Sequence, residues 1–278
     1  MPVADGGTRD DACGLRLLTL NLWGTNGPVA RRMEDLAGWL AASRPDVVAL
    51  QEVRRFDGEL QSDLLAEAAG YPHRWWARTF TRDGEQEGLA VLARRPLTAG
   101  ETTRLPGHPR DVPRQLQRAE IATPTGPVLV ANTHLTWRRR HGGVRLAQAR
   151  AVRHLLGEES LPVLLVGDLN TTCRSRAVQA LAADFPPGSG LTDVFDLAPT
   201  RPRATFAFDN PFARQPWLLG RRVDHVLVGA AFEVVDARVV LDGRDGPVVS
   251  DHHGVLAELR LPAPDGPADG PGLPPLVA

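Results

Sequence analysis

The residue that this 278-residue sequence lacks altogether is lysine, so all 32 basic side chains are arginine. Isoleucine and tyrosine each occur once, at Ile121 and Tyr71, and asparagine occurs five times. The codons of these rare residues are rich in A and T, so the bias is typical of a G/C-rich genome. In such a background an asparagine is less often a filler residue, and the positions of the five therefore carry information.

The sequence also has almost no net charge and only two cysteines. The formal net charge is −1, whereas proteins that hold nucleic acid or anionic membranes non-specifically need a basic excess. The two cysteines, Cys13 and Cys173, stand alone, so the sequence indicates neither a disulfide framework nor a cysteine metal motif. We therefore expect a protein of a reducing compartment.

Long apolar runs are missing as well. No segment approaches the roughly 18 apolar residues of a membrane-spanning helix, and the first residues lack the basic and apolar regions of a secretory signal. We therefore expect a cytoplasmic protein without a membrane span. The hydrophobic fraction of 42% is ordinary for a folded chain, and a chain of this length can bury one large core.

The two ends of the sequence differ from its middle. Residues 1–14 are polar and glycine-rich, and residues 262–278 are rich in proline and glycine without periodicity, so both are predicted to be flexible. Residues 15–261 contain no low-complexity linker, which predicts a single domain. We expect the protein to be a monomer.

Within this domain, short apolar segments alternate with amphipathic ones. Helices are predicted over residues 28–43, 60–69 and 143–156. Strands are predicted over residues 15–23, 45–53, 88–96, 116–122, 127–135, 161–170, 221–229, 232–240 and 253–261. Short turns containing glycine or proline favour antiparallel pairing of successive strands. Two packed sheets flanked by helices fit this pattern.

Polar residues recur where the apolar strand segments end. A polar group beside a buried strand costs free energy unless it is paired. One such residue is unremarkable, but several together indicate strand ends that converge on a shared polar site. The candidates are Asn21, Glu52, His134, Asp168, Asn170, Asp224, Asp251 and His252.

The oxygen-rich side chains of this set suggest which metal it would bind. Asp168 and Asn170 are two residues apart, so on an extended chain they face the same way and can hold a water or a phosphoryl oxygen. Asn21, Glu52 and Asp251 offer only oxygen ligands, which suit Mg²⁺ or Mn²⁺. The candidates include no cysteine, which makes a tetrahedral zinc site the weaker interpretation.

At these residues the sequence resembles the endonuclease/exonuclease/phosphatase superfamily of metal-dependent phosphoesterases. The matching segments occur in the family's order: TLNLWG (19–24), LQEV (50–53), THL (133–135), GDLN (167–170), RVDHVLV (222–228) and SDHH (250–253). The resemblance implies an α/β (α+β) four-layer sandwich of two mostly antiparallel mixed sheets flanked by helices. It also implies a phosphoric ester hydrolase that uses Mg²⁺ or Mn²⁺.

The resemblance further assigns roles to individual residues. It implies that Asn21, Glu52 and Asp251 bind the metal. Asp168 and Asn170 match the pair that orients the attacking water and touches the phosphate.

Two histidines complete the site that the resemblance implies. His252 matches the histidine that contacts the scissile phosphate, and Asp224 matches the aspartate that orients it. His134 matches a second histidine, with Glu87 as its carboxylate partner. Arg114 and Arg118 lie on or near the strand before His134, where the family often places a phosphate-contacting arginine, and Arg118 is the one predicted for this role.

The substrate stays open at this point. Balanced charge disfavours a nuclease, so we expect hydrolysis of a mono- or diester of a small phosphorylated metabolite or lipid-like headgroup, with a DNA or RNA nuclease as the alternative. A catalytically silent binding module on the same fold is disfavoured because none of the main site residues is missing. The segment 137–141, WRRRH, either holds a second phosphate or a nucleic-acid backbone, or is simply a solvated loop.

Overall fold

The computed structural model describes residues 14–184, 188–200, 203–213 and 220–261. These residues form fourteen strands, five α-helices and one short 3-10 helix, Arg139–His141. In chain order the elements are β1 (Gly14–Asn21), α1 (Val29–Ser43), β2 (Val47–Val53), β3 (Arg55–Phe56), β4 (Glu59–Leu60), α2 (Gln61–Ala69), β5 (His73–Arg82), β6 (Glu85–Ala93), β7 (Leu97–Arg104), β8 (Gln115–Ile121), β9 (Val128–His134), α3 (Gly142–Gly157), β10 (Val163–Asp168), α4 (Arg176–Ala182), β11 (Leu191–Asp193), α5 (Val194–Leu197), β12 (Asp224–Gly229), β13 (Glu233–Val240) and β14 (Gly254–Arg260).

Two six-stranded sheets make up the centre of the fold. Sheet 1 has the strand order β13-β14-β1-β2-β6-β5, and sheet 2 has the order β11-β12-β10-β9-β8-β7. Each sheet contains one parallel pair, β1 with β2 and β9 with β10, and its other pairs are antiparallel. The predicted pair of mostly antiparallel mixed sheets is therefore confirmed.

Successive side chains of a strand point to opposite faces of its sheet, and this alternation explains how the sheets and helices form layers. In β1, Leu15 and Leu17 face the core between the sheets, whereas Leu18 and Leu20 face the core beneath α1 and α2. Sheet 2 is built in the same way, and its outer face packs against α3 and α4. The order is thus helices, sheet, sheet, helices, which confirms the predicted four-layer sandwich.

The predicted termini fall mostly outside the described residues. Residues 1–13 and 262–278 are not described, while Gly14 is the first residue of β1. Among the described residues, no helix combines the length and apolarity needed to cross a bilayer.

Candidate functional site

The polar strand ends meet at one edge of the sandwich. In sheet 1, Asn21 at the end of β1 lies opposite Gln51 in the parallel strand β2. In sheet 2, Asp168 at the end of β10 lies opposite His134 in β9 and Asp224 in β12. Parallel strands end at this edge, and antiparallel partners begin there. Residues far apart in the sequence therefore converge as predicted.

Three backbone features aim the side chains at this edge. β2 has a register shift against β6 between Leu50 and Val53, and Glu52 within it has a φ of 54°. Asn170, two residues after β10, has a φ of 52°. Such left-handed conformations cost free energy for residues other than glycine, and they concentrate at functional sites. Gly167 has a φ of 135°, and a Cβ there would overlap the carbonyl oxygen of Thr133.

Asp168 lies at the centre of the site with only 1% of its surface exposed. Its Oδ1 accepts a hydrogen bond from the Asn170 backbone nitrogen at 2.8 Å. Its Oδ2 accepts bonds from the side-chain nitrogens of Asn170 and Asn21, both at 3.1 Å. The Nε2 atoms of His134 and His252 lie 3.3 and 3.9 Å from the same oxygen. The carboxylate is therefore held rigidly between two histidines.

The two histidines are in opposite electrostatic environments. His252 Nδ1 lies 2.9 Å from Asp224 Oδ2. Burial opposes the charged imidazolium, but the charges of Asp224 and Asp168 outweigh it and hold the pKa of His252 well above its ordinary value. Burial and the positive charge of Arg114 keep the pKa of His134 well below its ordinary value. The site thus favours the protonated form of His252 and the neutral form of His134.

The site carboxylates are destabilised as anions. Burial, together with the charges of Glu87 and Asp251, raises the pKa of Glu52 to about 7. Burial also raises the pKa of Asp168, to about 6, although His252 opposes the shift. The pKa of Asp251 is raised for the same reason. A positive charge close to these buried carboxylates would stabilise their ionised forms.

Two groups of side chains have the chemistry to hold a cation. The predicted group is Asn21, Glu52 and Asp251, and the charge of Asp251 acts on the Glu52 carboxylate. Asn21 directs its amide nitrogen toward Glu52 Oε1, at 3.3 Å, while its Oδ1 accepts from the Trp23 backbone nitrogen at 2.9 Å. Asn21 therefore acts here as a donor that joins carboxylates.

The second group consists of Asp168, Asp224 and His252, whose candidate ligand atoms lie within 4.8 Å of one another. Asp224 and His252 already satisfy each other, and a protonated His252 repels a cation. Asp224 Oδ1 is buried and has no hydrogen-bond partner among the described residues.

Two sequence expectations are corrected by the structure. Glu87 does not pair with His134, because its Oε2 accepts hydrogen bonds from Arg54 Nε and Nη2 at 2.9 and 2.8 Å. Arg118 does not lie with the other site residues, because its guanidinium binds Glu159 and Glu101 at 2.6 and 2.7 Å. Glu87 still lines the small pocket that contains His134 and Glu52.

Arg114 takes the place expected for Arg118. It is 3% exposed and lines the same small pocket, and the charges of Glu52, Glu87 and Asp168 act on its guanidinium. Its Nε is buried without a hydrogen-bond partner among the described residues. A buried guanidinium with a free donor beside carboxylates and a histidine is suited to an anion such as a phosphoryl group.

Some residues of the site carried no distinct sequence signal. Ser250 donates its hydroxyl hydrogen bond to the Asn21 carbonyl at 2.6 Å and accepts from the His252 backbone nitrogen at 3.2 Å. It thereby joins the end of β1 to the segment before β14. Arg54 directly follows the LQEV segment, and only that adjacency pointed to it.

The geometry agrees with comparisons to known proteins. A family model described as the Endonuclease/Exonuclease/phosphatase family matches residues 18–252, a span that contains every predicted site residue. No curated protein matches the sequence.

Solved structures share the fold. An endonuclease/exonuclease/phosphatase from Beutenbergia cavernae DSM 12333 is 26% identical, with a TM-score of 0.70, and the match covers 91% of this chain and 73% of that one. A functionally unknown conserved protein from Enterococcus faecalis V583 is 22% identical, with a TM-score of 0.70 and coverage of 89% and 100%. Truncated TDP2 from Caenorhabditis elegans is 19% identical, with a TM-score of 0.68 and coverage of 89% and 98%. At these last two identities the likeness concerns the fold alone.

Proposed function

Since the chain belongs to the endonuclease/exonuclease/phosphatase family, as its sequence segments predicted, we propose that it is a phosphoesterase that uses Mg²⁺ or Mn²⁺ and an activated water. Enzymes of this family are typically hydrolases of phosphoesters and depend on divalent metals. The observation that carries the proposal is the Asp168 carboxylate, buried between a neutral and a protonated histidine.

Asp168 is the group proposed to orient the attacking water. Its pKa of about 6 lies close to neutral pH, which suits a group that accepts a proton from water. Asn170 fixes both oxygens of this carboxylate and donates to the Leu135 carbonyl at 3.1 Å. The carboxylate is thereby oriented before substrate binds, which lowers the barrier to attack.

Positive charge from the protein stabilises the phosphoryl oxygens in this proposal. His252, kept protonated by Asp224, lies on one side of Asp168, and Arg114 lies near its other neighbour, His134. Charges fixed in a buried site act strongly on the negative charge that develops during phosphoester hydrolysis. Neutral His134 serves as a hydrogen-bonding group at the phosphate.

The donor set fits a divalent cation. Glu52 and Asp251 would hold it, with Asn21 beside them, because burial and the charges of Glu87 and Asp251 raise the pKa of Glu52, and a cation would stabilise its carboxylate. Oxygen donors of this kind suit Mg²⁺ or Mn²⁺. When bound, the ion supplies polarisation of the phosphate.

For the substrate, we propose a small phosphorylated metabolite or a lipid-like headgroup, because the chain has no basic excess. One observation supports nuclease activity as the second candidate. Residues 137–140, a tryptophan followed by three arginines, are all exposed and follow His134 by three residues. Aromatic and basic side chains next to a hydrolytic site are typical of nucleic-acid contacts.

A panel assay tests the proposal. The protein is incubated with bis-nitrophenyl phosphate, nitrophenyl phosphate, phosphoinositides, sphingomyelin and supercoiled plasmid, each with Mg²⁺, Mn²⁺ or EDTA. We expect metal-dependent hydrolysis of small esters that exceeds plasmid cutting. Faster plasmid cutting would favour the nuclease, and no hydrolysis of any substrate would refute the phosphoesterase.

Variants test the residue roles. Asp168→Ala and His252→Ala should each lower kcat at least about 100-fold, given the usual contributions of acid–base and electrostatic catalysis. His154→Ala is a matched control, because His154 is exposed on α3 away from the site. Near-normal turnover of either site variant would contradict the mechanism.

A further inference from the structure

A second, larger pocket opens beside the catalytic edge. Its volume is about 570 Å³, within the range of about 300–1,000 Å³ that is common for small-molecule sites. Thr79 lines both this pocket and the small pocket that contains Glu52 and His134, so the two share a wall. We call the larger space the Trp137 pocket. Its walls include Thr79, Phe80, Arg110, Pro113, Trp137 and Arg138.

The exposed Trp137 is the unusual feature of this pocket. Its side chain is 56% exposed, yet the loop that carries it is fixed. Arg145 Nη1 donates hydrogen bonds to the carbonyls of Thr136 and Arg138, both at 2.9 Å. The Thr136 backbone nitrogen donates to Gln148 Oε1 at 3.0 Å. The ring is therefore held in water by an ordered loop, and exposed apolar surface of this kind marks a binding surface when it lines a pocket.

The charges around the ring suggest the chemistry of the occupant. The Arg138 guanidinium lies over the Trp137 ring, 5.1 Å from its centroid. Arg110 is a second exposed cation in the wall. The acidic residue of the wall, Asp111, is already engaged by the Thr136 hydroxyl and by His141 Nδ1, the latter at 3.1 Å. Arg138 Nε also lies 3.7 Å from Asp111 Oδ1. The pocket thus offers a flat aromatic surface between apolar and polar side chains, with the exposed cation Arg110 beside it.

We propose that the Trp137 pocket binds an aromatic ring of the substrate, joined to the phosphate that is hydrolysed in the neighbouring pocket. Stacking on Trp137 and Phe80 would hold the ring, and Arg110 and Arg138 would attract negative charge near it. The inference rests on the proposed function and names the substrate class as aromatic phosphoesters. Nucleotides and simple aryl phosphates share this chemistry.

Calorimetric titration of the full chain with three monophosphates tests the proposal. Adenosine monophosphate, phenyl phosphate and glycerol phosphate are titrated separately, at the same Mg²⁺ concentration. We expect at least one of the aromatic phosphates to bind more tightly than glycerol phosphate. Tighter binding of adenosine monophosphate than of phenyl phosphate would indicate that the pocket recognises a nucleotide. Equal affinities for these two ligands would indicate that it recognises only the aromatic ring.

Substitution of the ring separates stacking from phosphate binding. Trp137→Ala should weaken the aromatic ligands about 5- to 100-fold, the range for removal of one stacking side chain, and leave glycerol phosphate within about two-fold. Trp137→Phe should retain most of the affinity. Phe208→Ala is the control, because Phe208 is also exposed, at 67%, but does not line the pocket. Since the Trp137 ring is exposed, the thermal midpoint of Trp137→Ala should stay near that of the wild type.

The outcomes separate this proposal from the proposed function. Equal affinities for all three phosphates, no binding of any, or an equal loss of all three in Trp137→Ala would overturn the Trp137 pocket as an aromatic site. If the protein hydrolyses esters but gives one of these binding results, the proposed phosphoesterase function stands and only the Trp137 pocket proposal fails. Selective aromatic binding that depends on Trp137, without hydrolysis of any ester, would support the pocket and refute the phosphoesterase.

Discussion

Arg32 connects the segments next to Asn21 and Asp251, two of the three proposed metal ligands, and its removal should measurably destabilise the protein. The side chain is 2% exposed and donates five hydrogen bonds. All of them go to backbone carbonyls, with lengths of 2.7–3.1 Å. Three acceptors, Leu22, Gly24 and Asn26, belong to the segment after β1, and the fourth, Val249, precedes β14. The guanidinium thus fixes one segment against the other.

The expected loss follows from these bonds. A hydrogen bond to a charged group contributes about 1.5–3 kcal/mol, and contributions within one network do not add. Arg32→Met would leave four carbonyls short of a donor, and we expect the free energy of unfolding to fall by about 3–6 kcal/mol. Domains are typically stable by about 5–15 kcal/mol, so the variant should fold but with a much lower midpoint.

Urea unfolding followed by tryptophan fluorescence measures this loss. Arg32→Lys is the matched variant, because it keeps the positive charge but cannot reach all four carbonyls, and its stability should lie between the wild type and Arg32→Met. The denaturant slope should be unchanged, since the surface exposed on unfolding is the same. A loss below about 1 kcal/mol for Arg32→Met, less than one charged hydrogen bond, would refute the reasoning.

Three further predictions concern the site edge and its support. Asp224→Asn should lower kcat about 10²- to 10⁴-fold in a steady-state assay, because His252 loses the carboxylate that orients and charges it. Gly167→Ala should lower the thermal midpoint by several degrees, because a Cβ there overlaps backbone and the φ of 135° is strained. Burial raises the pKa of Asp193, but a hydrogen bond from His225 and the charge of Arg222 outweigh burial and keep that pKa below its ordinary value. That stabilisation is present above the unfolded pKa of about 3.9 and is lost as the pH falls through the folded pKa. The urea midpoint of Asp193→Asn should therefore fall less than that of the wild type between pH 7 and pH 3.

The strands that sequence reasoning found and missed differ in their place within the sheets. Apolar runs predicted β1, β2, β9 and β10, which are central and buried on both faces. The strands β5, β7 and β11 were missed, and each lies at a sheet edge, whereas the fourth edge strand, β13, was predicted. The two-residue strands β3 and β4, which lie outside both large sheets, were missed as well. β7 is almost wholly exposed and therefore needs no apolar run. Edge strands are specified by pairing with a neighbour, and a single sequence does not show that pairing.

The same contrast applies to the site. The carboxylates and histidines were found because they interrupt apolar strands, but their partners were not. The Glu87 carboxylate binds Arg54 because the irregularity near the end of β2 brings the Arg54 side chain beside Glu87. Arg118 lies in the middle of β8 on the face of Leu116, which packs toward the helices, whereas Arg114 directly precedes β8 and lines the small pocket with Glu52 and His134.

The site forms only if the two sheets pack in the correct relative position, because Glu52 belongs to sheet 1 and Asp168 to sheet 2. Apolar packing between the sheets is not directional and tolerates sliding. Asn132, another of the five asparagines, makes directional hydrogen bonds that apolar packing lacks. It is fully buried, accepts a hydrogen bond from Gln51 of sheet 1 at 2.8 Å and donates one to Gln117 of sheet 2 at 3.2 Å. A buried amide network is stable only in the register that satisfies it. The core between the sheets therefore fixes the distance between the proposed metal ligand and the proposed water-orienting carboxylate, and the catalytic geometry depends on polar residues that touch no substrate.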